Sequence, residues 1–263
     1  MLILGFLFLG VIAGLAAGVF GIGGGVIIIP GLIYLFQITA LIPPHELMHV
    51  VLASSLASVA FTSLIAGIVH ARKNNIRWPI AWQLIPGLLC GAIIGSYIAT
   101  KLNTEWLLYM FAGFLALLSL RYIFNWQSDT TYPVPATPIM WLVGLVIGSL
   151  TSMLGLGGGV LIIPFLGLLS LNMREISALS IVCILPVVLL ATLGYIVFGL
   201  KVHDLPRYST GYVYWPAVLP IIITSTICAP IGISIAQKLS VKRLKEIFGF
   251  ILLFISISLF ILG

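Results

Sequence analysis

Apolar residues run along this chain in long unbroken blocks, separated by short polar, glycine-bearing or proline-bearing breaks. The blocks cover roughly residues 2–20, 24–38, 47–69, 79–100, 106–124, 138–153, 158–171, 176–199, 213–237 and 246–262. A block that is apolar all round has no polar face to offer water, so each is expected to be a helix buried in lipid or protein. A spanning helix needs about 17–25 such residues, and most of the blocks reach that length. The short exceptions border two glycine clusters. There the chain reads GVFGIGGGVIIIPGL from Gly18 to Leu32 and SMLGLGGGVLIIPFL from Ser152 to Leu166, an offset of 134.

The similarity extends beyond the glycines. Trp78-Pro79 matches Trp215-Pro216, and GSYIATKL from Gly95 to Leu102 matches GISIAQKL from Gly232 to Leu239, both at an offset of 137. The pattern predicts a single transmembrane domain, 1–263, built from two copies of a five-element unit, 1–125 and 138–263, with a polar, proline-bearing linker at 126–137.

Loop charge indicates how the copies are related, because Lys and Arg accumulate on the cytoplasmic side. If every block reverses the chain, Arg72, Lys73, Arg77, Arg121, Arg174, Lys238, Lys242, Arg243 and Lys245 share one side and Lys101, Lys201 and Arg207 the other. If each glycine cluster lies instead within one continuous crossing, the division is six against six. The first count predicts both termini outside and, because five is odd, a second copy inverted relative to the first. Parity does not distinguish two full crossings from a re-entrant pair, so the blocks after the glycines are either spanning helices or re-entrant half-helices. The fold class is therefore an all-α polytopic membrane protein with two inverted five-element repeats and glycine-broken or re-entrant half-helices.

Composition agrees and excludes much else. Charged residues make up 7% of the chain and hydrophobic residues 61%, at a mean hydropathy of +1.26. A soluble domain carries about 25% charge, so the solvent is the bilayer. Twelve basic against six acidic residues leave a net charge of +6, but they are scattered without aromatic interleaving, which argues against nucleic acid. Cys90, Cys183 and Cys228 have no CxxC spacing and read as small packing residues. The N-terminus has no basic region before its apolar run, so it is expected to persist as the first membrane segment.

The candidate chemistry lies in the glycines. Gly23, Gly24, Gly25 and Gly157, Gly158, Gly159 interrupt a helix just before an apolar run restarts it. Unshielded N–H groups at a helix start carry partial positive charge and can hold an oxyanion or carboxylate without a charged side chain. The competing reading is close helix packing through small residues, and the duplicated position favours a site. Pro30 and Pro164, at matched spacing, read as ends of the half-helices. Among the hydroxyls Ser54, Ser55, Ser58, Thr62, Ser63, Ser177, Ser180 and Thr192, those of Ser55 and Ser180 occupy comparable places in ASSL and ALSI and are the two chosen. Any one of them also serves as a bond to its own helix. All six acids fall at block ends or in loops, which argues against a carboxylate-built cation site or proton relay. His49 and His70 read as interfacial, with His49 the one internal candidate for proton coupling. The six tryptophans cluster near block ends as an interfacial belt. No nucleophile–base constellation, metal-ligand cluster or cofactor motif appears, so an enzyme, a metal and a cofactor are not expected.

The doubled motif GVFGIGGGVIIIP and SMLGLGGGVLIIP, with the ASSL segment and the GIVHARKNNIRW loop, resembles the TauE/SafE family of sulfite-exporter-like permeases over essentially the whole chain. The resemblance implies a secondary permease in the cell membrane, the inner membrane in a bacterium, with sulfite, thiosulfate or an organosulfonate such as sulfoacetate as cargo. Its partners would be a small anionic substrate and the lipid bilayer, with coupling to protons or another ion and the oligomeric state left open. An anion channel with a glycine-lined filter is the alternative, and a scaffold presenting Lys238–Lys245 to anionic lipid or a soluble partner is a third reading.

Overall fold

The computed structural model describes residues 2–20, 24–71, 76–124, 132–202, 204–236 and 241–262. Among them each apolar block forms one helix: α1 (Leu2–Phe20), α2 (Gly25–Thr39), α3 (Leu47–Ala71), α4 (Trp78–Lys101), α5 (Thr104–Ile123), α6 (Thr137–Met153), α7 (Gly159–Leu166), α8 (Met173–Gly199), α9 (Trp215–Ala236) and α10 (Val241–Leu262). A 3-10 turn, Pro44–Glu46, precedes α3, and a two-stranded hairpin, β1 (Ser209–Thr210) and β2 (Val213–Tyr214), precedes α9. Six of the helices are long and apolar enough to cross a membrane. At 1.5 Å per residue, α7 is only about 12 Å long and α2 about 22 Å, both short of the roughly 30 Å hydrocarbon core.

These two short helices fold back on their predecessors. A Cβ on Gly5 would touch Leu35, one on Gly31 would touch Leu9, and Gly24 lies beside Ala13, so α1 and α2 form an antiparallel hairpin. Phe6 and Phe36 close its open end edge to face at 5.9 Å. In the second hairpin the Tyr132 N–H donates to the Leu168 carbonyl at 2.8 Å and the Ser170 N–H to the Tyr132 carbonyl at 3.2 Å. Tyr132 leads into α6 and Leu168 follows α7, so α7 ends on the face where α6 begins.

The two hairpins open on opposite faces. Arg77 Nε donates to Glu175 Oε1 at 2.8 Å, tying the starts of α4 and α8 together. At the other end of α4, about 36 Å away by its 24 residues, His49 Nε2 donates to the Leu102 carbonyl at 3.1 Å, and the Thr104 hydroxyl donates to the His45 carbonyl at 2.6 Å. The Phe6–Phe36 end belongs to this second face through Tyr214, whose ring stands 5.9 Å from that of Phe36. Residues 77 and 175 share a face. The Arg77 side chain is 51% exposed, and such ion pairs contribute about 0–1 kcal/mol. Replacing Arg77 with Ala is accordingly expected to lower thermal stability by no more than about 1 kcal/mol.

The most extensive helix contacts are α4 on α6 and α1 on α9. Both are backbone-on-backbone contacts made possible by glycine. A Cβ on Gly144 or Gly148 of α6 would run into the Leu84 or Leu88 backbone of α4, and one on Gly10 or Gly14 of α1 into the Ile221 or Ser225 backbone of α9. Likewise Gly95 of α4 abuts Ser149 of α6, and Gly232 of α9 abuts Leu15 of α1. Between these pairs run α3 and α8, with Val50, Leu52, Ala53 and Leu56 fully enclosed. The outer surface is apolar, with Phe8, Leu117, Phe254 and Ile261 all exposed, as lipid contact requires. Trp78, Trp82 and Trp141 are exposed at helix starts on the Arg77 face and Trp106 on the other, which are interfacial positions. This is an all-α polytopic membrane protein.

Candidate functional site

The glycine tips of the two hairpins meet. A Cβ on Gly25, the first residue of α2, would stand 3.2 Å from the Gly155 carbonyl, 3.2 Å from the Gly157 nitrogen and 3.3 Å from Ser55 Oγ. The Ser55 hydroxyl donates to the Gly155 carbonyl at 3.0 Å, so α3 holds the second tip in place. That tip lies along α3 from Leu52, beside Gly155, to Val59, beside Gly157, and reaches Ile184 of α8 beside Gly158. Residues 24–26 and 151–160 are all buried.

Two second-tip glycines hold backbone conformations that other residues resist. Gly155 has φ +65° and Gly158, capping α7, has φ +58°, and a side chain in that region costs about 1–2 kcal/mol. The first tip differs, since Gly24 caps α2 in an ordinary helical conformation. Gly23 lies outside the described residues. Both helices begin without a side-chain cap. The N–H groups of Gly25, Val26 and Val160 have no backbone partner among the described residues, whereas that of Gly159 donates to the Gly157 carbonyl. Two helix starts thus direct partial positive charge into one enclosed space.

One side chain here has an unmet hydrogen bond. Thr151 of α6 is 1% exposed, and its Oγ1 has no partner among the described residues. Its methyl lies 3.3 Å from where a Gly158 Cβ would stand. Burying an unpaired hydroxyl costs roughly 1–3 kcal/mol, which a ligand at this position would relieve. Next to it, the fully buried Tyr195 of α8 donates its hydroxyl to the Ser152 carbonyl at 3.2 Å. Neither residue stands out in the sequence. Thr151 offers only a hydroxyl four residues before the cluster, and Tyr195 only a polar tip inside an apolar block.

The chosen hydroxyls separate. Ser55 reaches the glycines, whereas Ser180 donates to the Ser177 carbonyl of its own helix at 2.9 Å. Ser58, Thr62 and Thr192 likewise donate to their own helices. Ser54 instead accepts the Tyr214 N–H at 3.1 Å, fastening the hairpin to α3. Pro164 stands two residues before the end of α7, as expected, but α2 continues to Thr39 well past Pro30. His49, in the first turn of α3, is buried in protein, and the His70 side chain lies outside the described residues. No metal-ligand cluster occurs among the described residues.

A family model for the sulfite exporter TauE/SafE matches residues 6–259. The chain belongs to the TauE/SafE family. Relatives include a probable membrane transporter protein of Haemophilus influenzae, 32% identical over 256 residues that cover 97% of each chain. Another, from Bacillus subtilis, is 25% identical with 95% of this chain and 94% of its own covered. A third, from Methanocaldococcus jannaschii, is 28% identical with 92% and 90% covered. No solved structure matches the chain. As a TauE/SafE member with this helical architecture, it is a multi-pass membrane transporter whose surroundings are lipid and whose cargo is a small substrate.

Proposed function

We propose that the protein is a secondary permease for a small sulfur oxyanion or sulfonate, in the class of sulfite, thiosulfate and sulfoacetate, held where the two glycine tips meet. The observation that carries this reading is the unpaired, buried Thr151 hydroxyl beside two uncapped helix starts. Gly24, Gly25, Gly157 and Gly158 supply backbone donors, with Gly23 assigned by its motif, Gly159 opens α7 with its own N–H held by the Gly157 carbonyl, Thr151 supplies a side-chain donor, and Ser55 fixes the loop. Ser180 supports α8 from one turn away. With no fixed cation in the site, binding is weak enough for release on either side.

The two copies, 1–125 and 138–263, are inverted about this site, and both termini lie outside. Matched contacts support that relation. Gly10 and Gly14 shifted by 134 are Gly144 and Gly148, while their α9 neighbours Ile221 and Ser225 shifted back by 137 are Leu84 and Leu88. Alternating access then follows from one hairpin pair moving against the other around the joined tips.

Replacing Thr151 with Val keeps the shape and removes the hydroxyl. Thermal stability should be unchanged or improved, because an orphan polar group is gone. A hydrogen bond to a charged group contributes about 1.5–3 kcal/mol, so KM for thiosulfate counterflow in proteoliposomes should rise about tenfold or more. Unchanged KM for sulfite, thiosulfate and sulfoacetate would remove Thr151 from the site. Ohmic single-channel current in place of saturable counterflow would establish a channel instead.

A further inference from the structure

Beyond the glycine site, on the face opposite Arg77, a second polar cluster is enclosed by protein. His49 Nε2 points at two carbonyls from the end of α4, Ala99 at 3.2 Å and Leu102 at 3.1 Å. Carbonyls only accept, so Nε2 carries a hydrogen and donates. The other ring nitrogen, Nδ1, faces Glu46 Oε2 at 3.3 Å, and neither atom has another partner among the described residues. A neutral ring with its hydrogen on Nε2 would set a lone pair against a carboxylate oxygen, which repels. One proton between Nδ1 and Oε2 reconciles the two, on the ring as imidazolium or on the carboxyl as acid.

The hairpin before α9 completes the cluster. Gly211, at φ +55°, lies so close to α8 that a Cβ would overlap the Ile196 carbonyl, and the Tyr212 N–H reaches the Tyr195 carbonyl at 3.4 Å. The Tyr212 ring stacks on His49 at 5.2 Å between centroids, and its hydroxyl feels the charge of Glu46. Burial, with the charge of Glu46, pushes the Tyr212 phenol up to about 12, so it stays protonated at neutral pH. The remaining titratable and charged groups on the surrounding elements are His45 on the 3-10 turn, Tyr34 on α2, His70 on α3, Cys90, Tyr97 and Lys101 on α4, Glu105, Tyr109, Arg121 and Tyr122 on α5, Arg174, Glu175, Cys183 and Tyr195 on α8, and Tyr214 on β2. Lys101 and Glu105 are exposed, Glu175 is paired to Arg77 on the far face, and Tyr195 donates to Ser152. A cleft of about 480 Å³ lies beside the cluster, lined by Pro44 and Leu47 on either side of Glu46 and by Asp204.

We propose that Glu46, His49 and Tyr212 form a proton-binding site that couples movement of the anion to movement of a proton. The coupling half rests on the anion-permease reading, whereas the proton site itself does not. The pair binds one proton, changing its charge from −1 to 0, and the same proton offsets one negative charge of the cargo as the two cross together. Two connections lead from the cluster to the glycine tips. Along α3, Ser55 lies six residues beyond His49 and holds the Gly155 carbonyl. Through α8, Tyr212 packs edge to face on Tyr195 at 6.3 Å, and Tyr195 holds the Ser152 carbonyl beside Thr151. Loss of the proton sets Glu46 and His49 at odds and loosens the 3-10 turn from α4, a discrete change at the head of α3.

His49→Gln separates coupling from transport, because the amide still donates to the Ala99 and Leu102 carbonyls but holds no exchangeable proton. Thiosulfate is the probe, since its own ionisation does not change near neutral pH. Wild-type proteoliposomes should show thiosulfate counterflow, and accumulation driven by an imposed pH gradient should be at least tenfold above the ungraded level. His49→Gln should keep counterflow and lose that accumulation. Gradient-driven accumulation in His49→Gln equal to wild type, or none in a wild type that counterflows, overturns the proposal. Absence of wild-type counterflow with thiosulfate, sulfite and sulfoacetate sinks the permease reading instead. The proton site is then read directly in lipid-reconstituted protein, from the nitrogen resonance of His49 and the infrared carboxyl band of Glu46. One proton on the pair at pH 7 is expected, and a bare Nδ1 beside an ionised Glu46 overturns it.

Discussion

Gly25→Ala should cut thiosulfate counterflow at least tenfold while leaving the protein as stable as wild type. The residue begins α2 in helical conformation, where Ala is favoured over Gly by about 1 kcal/mol, so the backbone accepts the change. The added methyl enters the gap between the tips, 3.2 Å from the Gly155 carbonyl and the Gly157 nitrogen. Those distances oblige the neighbours to shift by a few tenths of an ångström, and they place a carbon over an N–H that the anion needs. Gly24→Ala is the matched control. Its Cβ would face α1, 3.5 Å from Ala13, and the flexible end of Ile28 at 3.2 Å, so transport should stay near wild type. Gly158→Ala belongs to a third class, because φ +58° and a 2.8 Å approach to Ile184 should lower stability itself. Proteoliposome counterflow with thermal unfolding in detergent distinguishes the three. Undiminished transport in Gly25→Ala would show that the cargo does not pass between the tips.

The blocks of apolar sequence foretold each helix because a membrane segment must satisfy its backbone internally, and helix length is then legible as block length. The tight helix pairs rest on glycines outside the two clusters, since only a missing side chain lets two backbones approach. What stayed hidden was what stands opposite a given residue. ASSL and ALSI look alike, yet only Ser55 meets the second glycine tip, because the segments that face α3 and α8 at those levels differ. Glu46 looked like a loop acid at a block end. The 3-10 turn from Pro44 folds it back over the first turn of α3, where it meets His49 at a spacing of three. Tyr212 is more than 160 residues from either, and only the hairpin turned at Gly211 brings it there. The argument from sequence against a proton relay counted acids inside the blocks, whereas the proposed proton site uses Glu46, just before one.

Gly148→Leu and Gly14→Leu should each abolish folded protein, and to a similar degree. At Gly148 a Cβ would overlap the Leu88 carbonyl, and at Gly14 it would lie 2.5 Å from the Ser225 carbonyl and 2.6 Å from the Ser225 Cα. These are backbone atoms, so relief requires the helices to separate, and no rotamer change suffices. Overpacking by single methylenes costs about 1–3 kcal/mol, and Leu adds several at the closest point of each pair. A domain with a total stability of about 5–15 kcal/mol has little margin for such a loss. Gly→Ala at the same sites should lower stability by about 1–3 kcal/mol and leave some folded material. By contrast, a Cβ on Gly113 of α5 meets nothing within 4 Å, and Gly113→Ala should be neutral or slightly stabilising. Yield of monodisperse protein and thermal unfolding in detergent measure all of these. The equality of the first two carries the most information. If α1 on α9 repeats α6 on α4, matched glycines bear matched loads, and a variant lethal to folding in one half but tolerated in the other would break the correspondence of the two copies.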